Sequence, residues 1–328
     1  MLVIYVDDLL VAGETEQVVW EVQRMLAGRF RTRDMGEPSY FLGMNVEYIR
    51  GQRKLLLSQR TYIEALMEKF GSFVGMPRSL PIGHGMVLTK QQGEEQPTGH
   101  PYASLVGALL FIAVCTRPDV SFAVGVLSKF MSCPGEKHWE VAVDLLAYLN
   151  ETKARGVILG MTGHGIKQGL VGYADSDWAN DADDRKSVSG GALFMNGGLV
   201  AWYSRKQQMV CTSTAEAEIH AVLEMLHTVR IAKAVLRDIQ RSFGGGIVQV
   251  PVIYSDNQPG LDAIKSGRAR TKHYDVKVKF IAEAVMRGDF ELHKVATSCN
   301  VADVFTKALR GKRFRALAGA FMGNVIGR

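Results

Sequence analysis

The stretch Gly172-Tyr173-Ala174-Asp175-Ser176-Asp177-Trp178-Ala179 constrains this chain more than any other part of it. It sets acidic residues at the end of an apolar run, Gly169-Leu-Val-Gly-Tyr-Ala-Asp175, that reads as a buried strand. An unpaired carboxylate is strongly disfavoured in a core. The arrangement becomes reasonable when other carboxylates converge on it and a divalent cation neutralises the group. Three later stretches have the form needed for that: Ser213-Thr-Ala-Glu-Ala-Glu218, Val252-Ile-Tyr-Ser-Asp256-Asn257 and Asn300-Val-Ala-Asp303.

At 328 residues there is room for two or three domains, and 47% apolar with 22% charged residues is a globular composition. The formal charge of +6 and a pI near 9.1 favour an anionic partner such as nucleic acid. Cys115, Cys133, Cys211 and Cys299 are dispersed without metal-ligand spacing and read as thiols of a reducing, intracellular compartment. The N-terminus lacks a basic region ahead of a long apolar run, so no secretory signal is expected. The most apolar segment, 102–115, is too short to span a bilayer. The expectation is a soluble protein of the cytoplasm or nucleus with no membrane partner.

From the start, residues 1–13 show two β-prone apolar runs flanking a polar pair, the pattern of a hairpin with its turn at Asp7-Asp8. On its own this is an ordinary Asp-rich turn. Two adjacent carboxylates on a rigid hairpin also suit Mg²⁺. Residues 15–30 follow as a helix with Val18, Val19, Val22, Met25 and Leu26 on one stripe. The run Asp34-Met-Gly-Glu-Pro-Ser-Tyr-Phe-Leu-Gly-Met-Asn-Val turns into a strand, 52–57 returns as another, and 58–70 reads as a helix.

Tyr5-Val6-Asp7-Asp8 resembles the Tyr-x-Asp-Asp signature of reverse transcriptases. With the Met-Gly-Glu and Tyr-Phe-Leu-Gly motifs and the Leu-Ser-Gln strand end, the region is similar to the palm end of copia-type LTR-retrotransposon polymerases. The resemblance implies that Asp7 and Asp8 bind metal. A polymerase needs a further upstream aspartate, fingers and a nucleotide pocket. The chain begins at the hairpin, so it is not expected to extend a primer.

Residues 71–99 have little periodicity and read as an exposed connection. Helical patterns then start at Tyr102, at Arg117-Pro118-Asp119 with proline in a first turn, and at His138. The family places such helices in the thumb and its connection to a nuclease, and Trp139 reads as core.

Beyond residue 169 the order is three strands, a long helix over 212–238, a strand, two helices, a strand and a helix. Asn196-Gly197 between the second and third strands is a strong tight-turn signal. Mixed sheet with helices on its faces gives an α/β fold. Residues 169–310 resemble the ribonuclease H domain of copia-type elements. The resemblance is carried by Gly-Tyr-Ala-Asp175-Ser-Asp-Trp-Ala, Asp184-Arg185-Lys186-Ser187, Ser204-Arg-Lys-Gln207, Ser213-Thr-Ala-Glu-Ala-Glu218, Tyr-Ser-Asp256-Asn257, Arg270-Thr-Lys-His273 and Ala302-Asp303-Val-Phe-Thr-Lys-Ala-Leu309.

Alternation puts Tyr173, Asp175 and Asp177 on one strand face and Val252, Tyr254 and Asp256 on another, so Asp175 and Asp256 meet if the strands are neighbours. At about 100° per residue, Ala215, Ile219, Val222 and Leu226 form the buried stripe of the long helix. Glu218 lies beside that stripe and Glu216 on the opposite flank, where it is expected as solvated surface. Asp303, three residues after Asn300, has a bland reading as a helix-start acid. The resemblance makes Asp175, Glu218, Asp256 and Asp303 the catalytic, metal-binding set. It implies two Mg²⁺ ions, for which Mn²⁺ can substitute, typically about 3.5–4 Å apart, clamping a scissile phosphate. The implied substrate is the RNA strand of an RNA–DNA hybrid, recognised through shape, phosphates and 2′-hydroxyls.

Arg185, Lys186, Lys206, Arg270, Lys272 and His273 are the candidate phosphate contacts, each with a solvated basic face as its bland reading. Many cellular ribonucleases H, which this region resembles, carry a mobile histidine in the loop before the last aspartate. Here the loop 296–301 has none and His293 lies in a strand, which leaves His273 as a substitute whose bland reading is a helix-start or phosphate contact. Gly244-Gly-Gly246 resembles a flexible link.

The expected fold class is α/β: an α+β palm and thumb remnant followed by a ribonuclease H-like mixed five-stranded sheet with helices. The expected division is a palm part over 1–99, a helical thumb over 100–164, a ribonuclease H-like domain over 165–310 and a basic tail over 311–328. The expected function is that of a Pol polyprotein fragment hydrolysing hybrid RNA. The alternatives are an inactive relic that binds nucleic acid and part of a polymerase whose upstream half lies elsewhere.

Overall fold

The computed structural model of the protein describes residues 1–160, 169–243, 249–268 and 272–324. The Gly244-Gly-Gly246 link lies outside them.

The chain opens with a hairpin of β1 (Leu2–Tyr5) and β2 (Asp8–Val11), paired Tyr5↔Asp8. That register makes the turn Val6-Asp7 instead of Asp7-Asp8, with Val6 at a left-handed φ of 50° and Asp8 already in strand. Helix α1 (Glu16–Ala27) follows, its N-terminus capped by the Thr15 hydroxyl, and none of its residues is buried.

Strands β3 (Tyr40–Phe41), β4 (Met44–Ile49) and β5 (Lys54–Ser58) form an antiparallel meander, and α2 (Arg60–Phe70) buries Ile63, Leu66 and Phe70. The connection after it is less exposed than its composition implies. Ile82 and Leu88 are buried, and a short helix α3 (Lys90–Glu95) starts with a Thr89–Gln92 capping box. Helices α4 (Tyr102–Cys115), α5 (Ser121–Ser128) and α6 (Glu136–Glu151) then pack together, with a 3-10 turn at Pro118–Val120 ahead of α5. Strand β6 (Arg155–Leu159) returns antiparallel to β5.

The second half is a five-stranded mixed sheet. Its strands are β7 (Leu170–Asp177), β8 (Val188–Met195), β9 (Gly198–Lys206), β10 (Val252–Ser255) and β11 (Glu291–Lys294). The spatial order is β11-β10-β7-β8-β9, with β7, β8 and β9 antiparallel and β10 and β11 parallel to β7. This is a ribonuclease H-like sheet. Asn196 and Gly197 both take positive φ, the geometry a two-residue hairpin turn needs. Helices α7 (Thr214–Phe243), α8 (Gln258–Ser266) and α9 (Lys272–Met286) cover one face, burying Ile219, Val222, Met225, Ile253, Val278 and Ile281.

The opposite face is covered by the preceding helices. Val171, Ala192, Phe194 and Leu199 of the sheet share one core with Leu105, Leu109, Val124, Leu127 and Leu145. Trp202 donates from Nε1 to the Ala113 carbonyl at 2.8 Å, and Lys129 pairs with the buried Asp181 at 2.7 Å. Residues 311–324, expected to trail off as a basic tail, are instead packed. Helix α10 (Gly311–Ala318) buries Phe314 and Leu317, and β12 (Met322–Asn324) adds an edge to the first sheet beside β6. The tail's apolar residues lie on one side of a single helical turn pattern, which the basic composition hides.

Candidate active site

The β10–β7 pairing runs parallel in the register Tyr254↔Tyr173, so two further residues along each strand bring Asp256 beside Asp175. The two tyrosine rings stack at 5.3 Å just below them. Glu218 comes from the second turn of α7. Ligand oxygens of Asp175, Glu218 and Asp256 all lie within 4.8 Å of one another. Asp175 and Glu218 are only 2% and 5% exposed, and Glu218 Oε2 is buried with no hydrogen-bond partner.

The fourth acid, Asp303, sits on a 3-10 turn, Val301–Phe305, that lies against β8. Close approach there depends on Gly190, opposite Asp175: a Cβ on it would meet Thr306 Cγ2 at 2.6 Å and the Ala302 carbonyl at 2.9 Å. The capping role belongs to Asn300, whose side chain accepts from the Ala302 amide. Asp303 is fully buried and held by two cations, Lys307 Nζ at 2.7 Å and the Arg313 guanidinium. It lies outside the three-acid cluster but acts on Asp175 electrostatically.

Several supporting residues carry no role in a reading of the sequence alone. Asn300 donates to the Ala174 carbonyl at 3.1 Å and to Asp256 Oδ1 at 3.4 Å. The Thr306 hydroxyl donates to Asp175. Lys307 lies one helical turn beyond Asp303, a spacing visible in the motif, yet its second partner Asp175 is remote in sequence and only the fold supplies it.

Glu216 is not solvated surface. It is 5% exposed, and its carboxylate accepts from the Thr212 amide at 2.8 Å and the Thr212 hydroxyl at 2.9 Å. Together with the Ser213 hydroxyl bonded to the Glu216 amide, this closes the start of α7. Lys206 is bound to Asp181 at 2.8 Å and Asp184 at 2.9 Å, so its charge is committed within the protein. Arg185 is exposed with a left-handed φ of 56°, and Lys186 lies 3.6 Å from Asp184. Arg270 and the side chains of Lys272 and His273 lie outside the described residues. His293 is bonded to Glu291 at 2.8 Å. Asp7 and Asp8 are exposed on a hairpin that pairs only with itself, and among the described residues no third acid joins them in a metal-competent group. A groove of about 540 Å³ between α7 and β9, lined by Trp202, Tyr203 and Val235, contains none of the four acids.

Burial pushes the Asp175 carboxyl up to about 7, with Lys307 opposing and Asp303 and Asp256 reinforcing the rise. Burial, then Asp175 and Asp256, lift Glu218 well above the usual carboxylate range. A protonated native carboxyl facing an ionised unfolded one makes the native state bind more protons. Stability without metal therefore falls as pH rises from about 4 to about 7 and is flat above that from this source, a change on the order of 2–4 kcal/mol. Denaturant melts of the chelated chain at pH 5.5 and 8 should show this loss, and Glu218→Gln should raise the melting temperature at pH 8. An unchanged or lower value for the Gln variant would mean that Glu218 is not the uncompensated charge.

The carboxylate set fits a hard divalent cation: three oxygens converge, the burial is costly without a counter-charge, and one buried oxygen has no partner. A palm-type segment joined to a ribonuclease H-like α/β module with an acidic cluster at its strand ends defines the class of polypeptide. Residues 1–83 match the family model described as reverse transcriptase (RNA-dependent DNA polymerase). The chain is 35% identical over 96% of its length to the retrovirus-related Pol polyprotein from transposon TNT 1-94 of Nicotiana tabacum, covering 24% of that protein. It is 32% identical over 97% of its length to the Pol polyprotein from transposon RE1 of Arabidopsis thaliana, covering 21%. Ribonuclease H1 from Halobacterium salinarum is similar over 42% of this chain and 93% of its own, at 16% identity and a TM-score of 0.29. Over most of its length the chain is thus similar to Pol polyproteins of copia-type transposons. It spans under a quarter of the length of the curated relatives it matches.

Proposed function

We propose that this chain hydrolyses the RNA strand of RNA–DNA hybrids in a divalent-metal-dependent reaction, as part of an intracellular Pol polyprotein. The observation that supports this most is the convergence of Asp175, Glu218 and Asp256 in a buried place where a Glu218 oxygen lacks any partner. Mg²⁺ or Mn²⁺ held there would supply Lewis-acid charge and a water of lowered pKa for phosphodiester cleavage.

The chain's own residues prepare the site before that. Asn300 fixes Asp256, the Thr306 hydroxyl fixes Asp175, and β7 and β10 hold both strand ends rigidly. Asp303 stands behind Asp175 as the fourth acid. Arg185 and Lys186, on the connection between β7 and β8, are the described basic side chains proposed to meet phosphate, which makes binding salt-dependent. No helix among the described residues is long and apolar enough to cross a membrane, and the four cysteines are free, in keeping with an intracellular site of action.

The test uses the full chain on labelled RNA–DNA hybrid and double-stranded DNA. Cleavage of the RNA strand in Mg²⁺ or Mn²⁺ is expected, with the DNA duplex left intact. Asp256→Asn and Glu218→Gln should lower the rate on the order of a hundredfold or more. Cleavage that survives both chelation and Asp256→Asn would overturn the assignment.

A further inference from the structure

The four acids divide into two unequal halves. Ligand oxygens of Asp175, Glu218 and Asp256 converge to within 4.8 Å of one another. Between Asp175 and Asp303 a cation is already in place. Lys307 Nζ lies 2.7 Å from Asp303 Oδ1 and 3.4 Å from Asp175 Oδ2. The outer oxygen of Asp303 is taken by Arg313, which also bonds the Thr297 carbonyl at 2.8 Å. The Lys307 side chain is 34% exposed, so its stem leads out to solvent while its ammonium reaches inward. Its ammonium carries the positive charge that faces both carboxylates.

An ammonium and a divalent cation cannot occupy one gap between two carboxylates. Lysine carries a compact charge on a flexible four-carbon stem, so it can leave without disturbing the backbone. We propose that Lys307 is the built-in counter-ion of the Asp175–Asp303 half of the centre. The first divalent ion then enters at Asp175, Glu218 and Asp256, and a second enters only by displacing the ammonium. This inference rests on the metal-dependent reading above. It makes Lys307 a positioning residue whose role is visible in ion binding itself, apart from cleavage.

The experiment is calorimetric titration of the chelator-treated full chain with Mn²⁺, together with its metal-free melting temperature. The wild type should bind one ion with a second much weaker. Lys307→Met should strengthen the second site about tenfold, within the ordinary span of site-to-site coupling, and lower the metal-free melting temperature. Lys307→Arg keeps the charge and should keep the second site weak, which preserves the test if the Met variant folds poorly. Lys265→Met, an exposed lysine on α8, should leave both readouts unchanged. Equal second-site affinity in wild type, Lys307→Arg and Lys307→Met would overturn the role of Lys307 while leaving the metal centre standing. Absence of any Mn²⁺ binding, by wild type and variants alike, would overturn the metal centre and this inference with it.

Discussion

Residues 165–328 expressed without the preceding helices are expected not to fold cooperatively, while the full chain is expected to melt in one main transition. The reason is the back face of the ribonuclease H-like sheet. Val171, Phe194 and Leu199 on its strands, and Val301 and Phe305 on the turn bearing Asp303, are buried in the core that includes α4, α5 and α6. Burying a side chain of that size is worth about 1.5–3 kcal/mol. Exposing five of them costs roughly 7–15 kcal/mol, as much as the whole stability of an ordinary domain. The loss extends to the site. Phe314 of α10 packs edge-on against Tyr148 of α6 at 6.3 Å, and the next residue back, Arg313, holds Asp303. Circular dichroism melts and dye binding to exposed apolar surface decide the matter. A sharp transition for residues 165–328 within about 5 °C of the longer chain would show that the helices are dispensable; at this size a kcal/mol moves the midpoint by about 2–4 °C.

That shared core marks where reading the sequence reached its limit. Strand alternation put Asp175 and Asp256 on definite faces, and the parallel β7–β10 pairing brings them together as the alternation required. Helical angle alone separated Glu218 from Glu216, because 100° per residue is independent of what the helix touches. It misjudged Glu216, because angle says nothing about the first turn's free amides, and the Thr212 amide and hydroxyl draw that carboxylate inward. Lys206 reads as a free basic residue until the fold brings Asp181 to it, since the tie runs between a strand and a distant loop. Nor does the apolar composition of α4 and α5 say which sheet they cover. β12 is three residues long and gains its place only by pairing with β6.

A buried ion pair ties the turn between α4 and α5 to α6, and its loss should be among the largest single-residue effects in the chain. Arg117 is fully buried, and its guanidinium meets Asp119 with two bonds of 2.8 Å. Two further donors go to the Thr152 carbonyl at 3.1 Å and the Thr152 hydroxyl at 2.7 Å, while Tyr148 donates to Asp119 at 2.7 Å. Burial opposes charge on both partners, yet Arg117 holds the Asp119 carboxyl below its ordinary range. Asp119→Ala therefore leaves a guanidinium in a dry core without its counter-charge, at a cost of about 3–5 kcal/mol. Replacing both, Arg117→Met with Asp119→Leu, removes the stranded charge and leaves the Tyr148 hydroxyl short of a partner, while the Thr152 hydroxyl still donates to the Tyr148 carbonyl at 2.7 Å and the Thr152 carbonyl still accepts from the Arg155 amide at 2.8 Å. That orphan costs about 1–3 kcal/mol when buried. The double variant should thus be more stable than Asp119→Ala alone. A denaturant-melt cycle over wild type, Asp119→Ala and the double variant measures this. A double variant less stable than Asp119→Ala would mean that the pair contributes by packing shape and not by charge compensation.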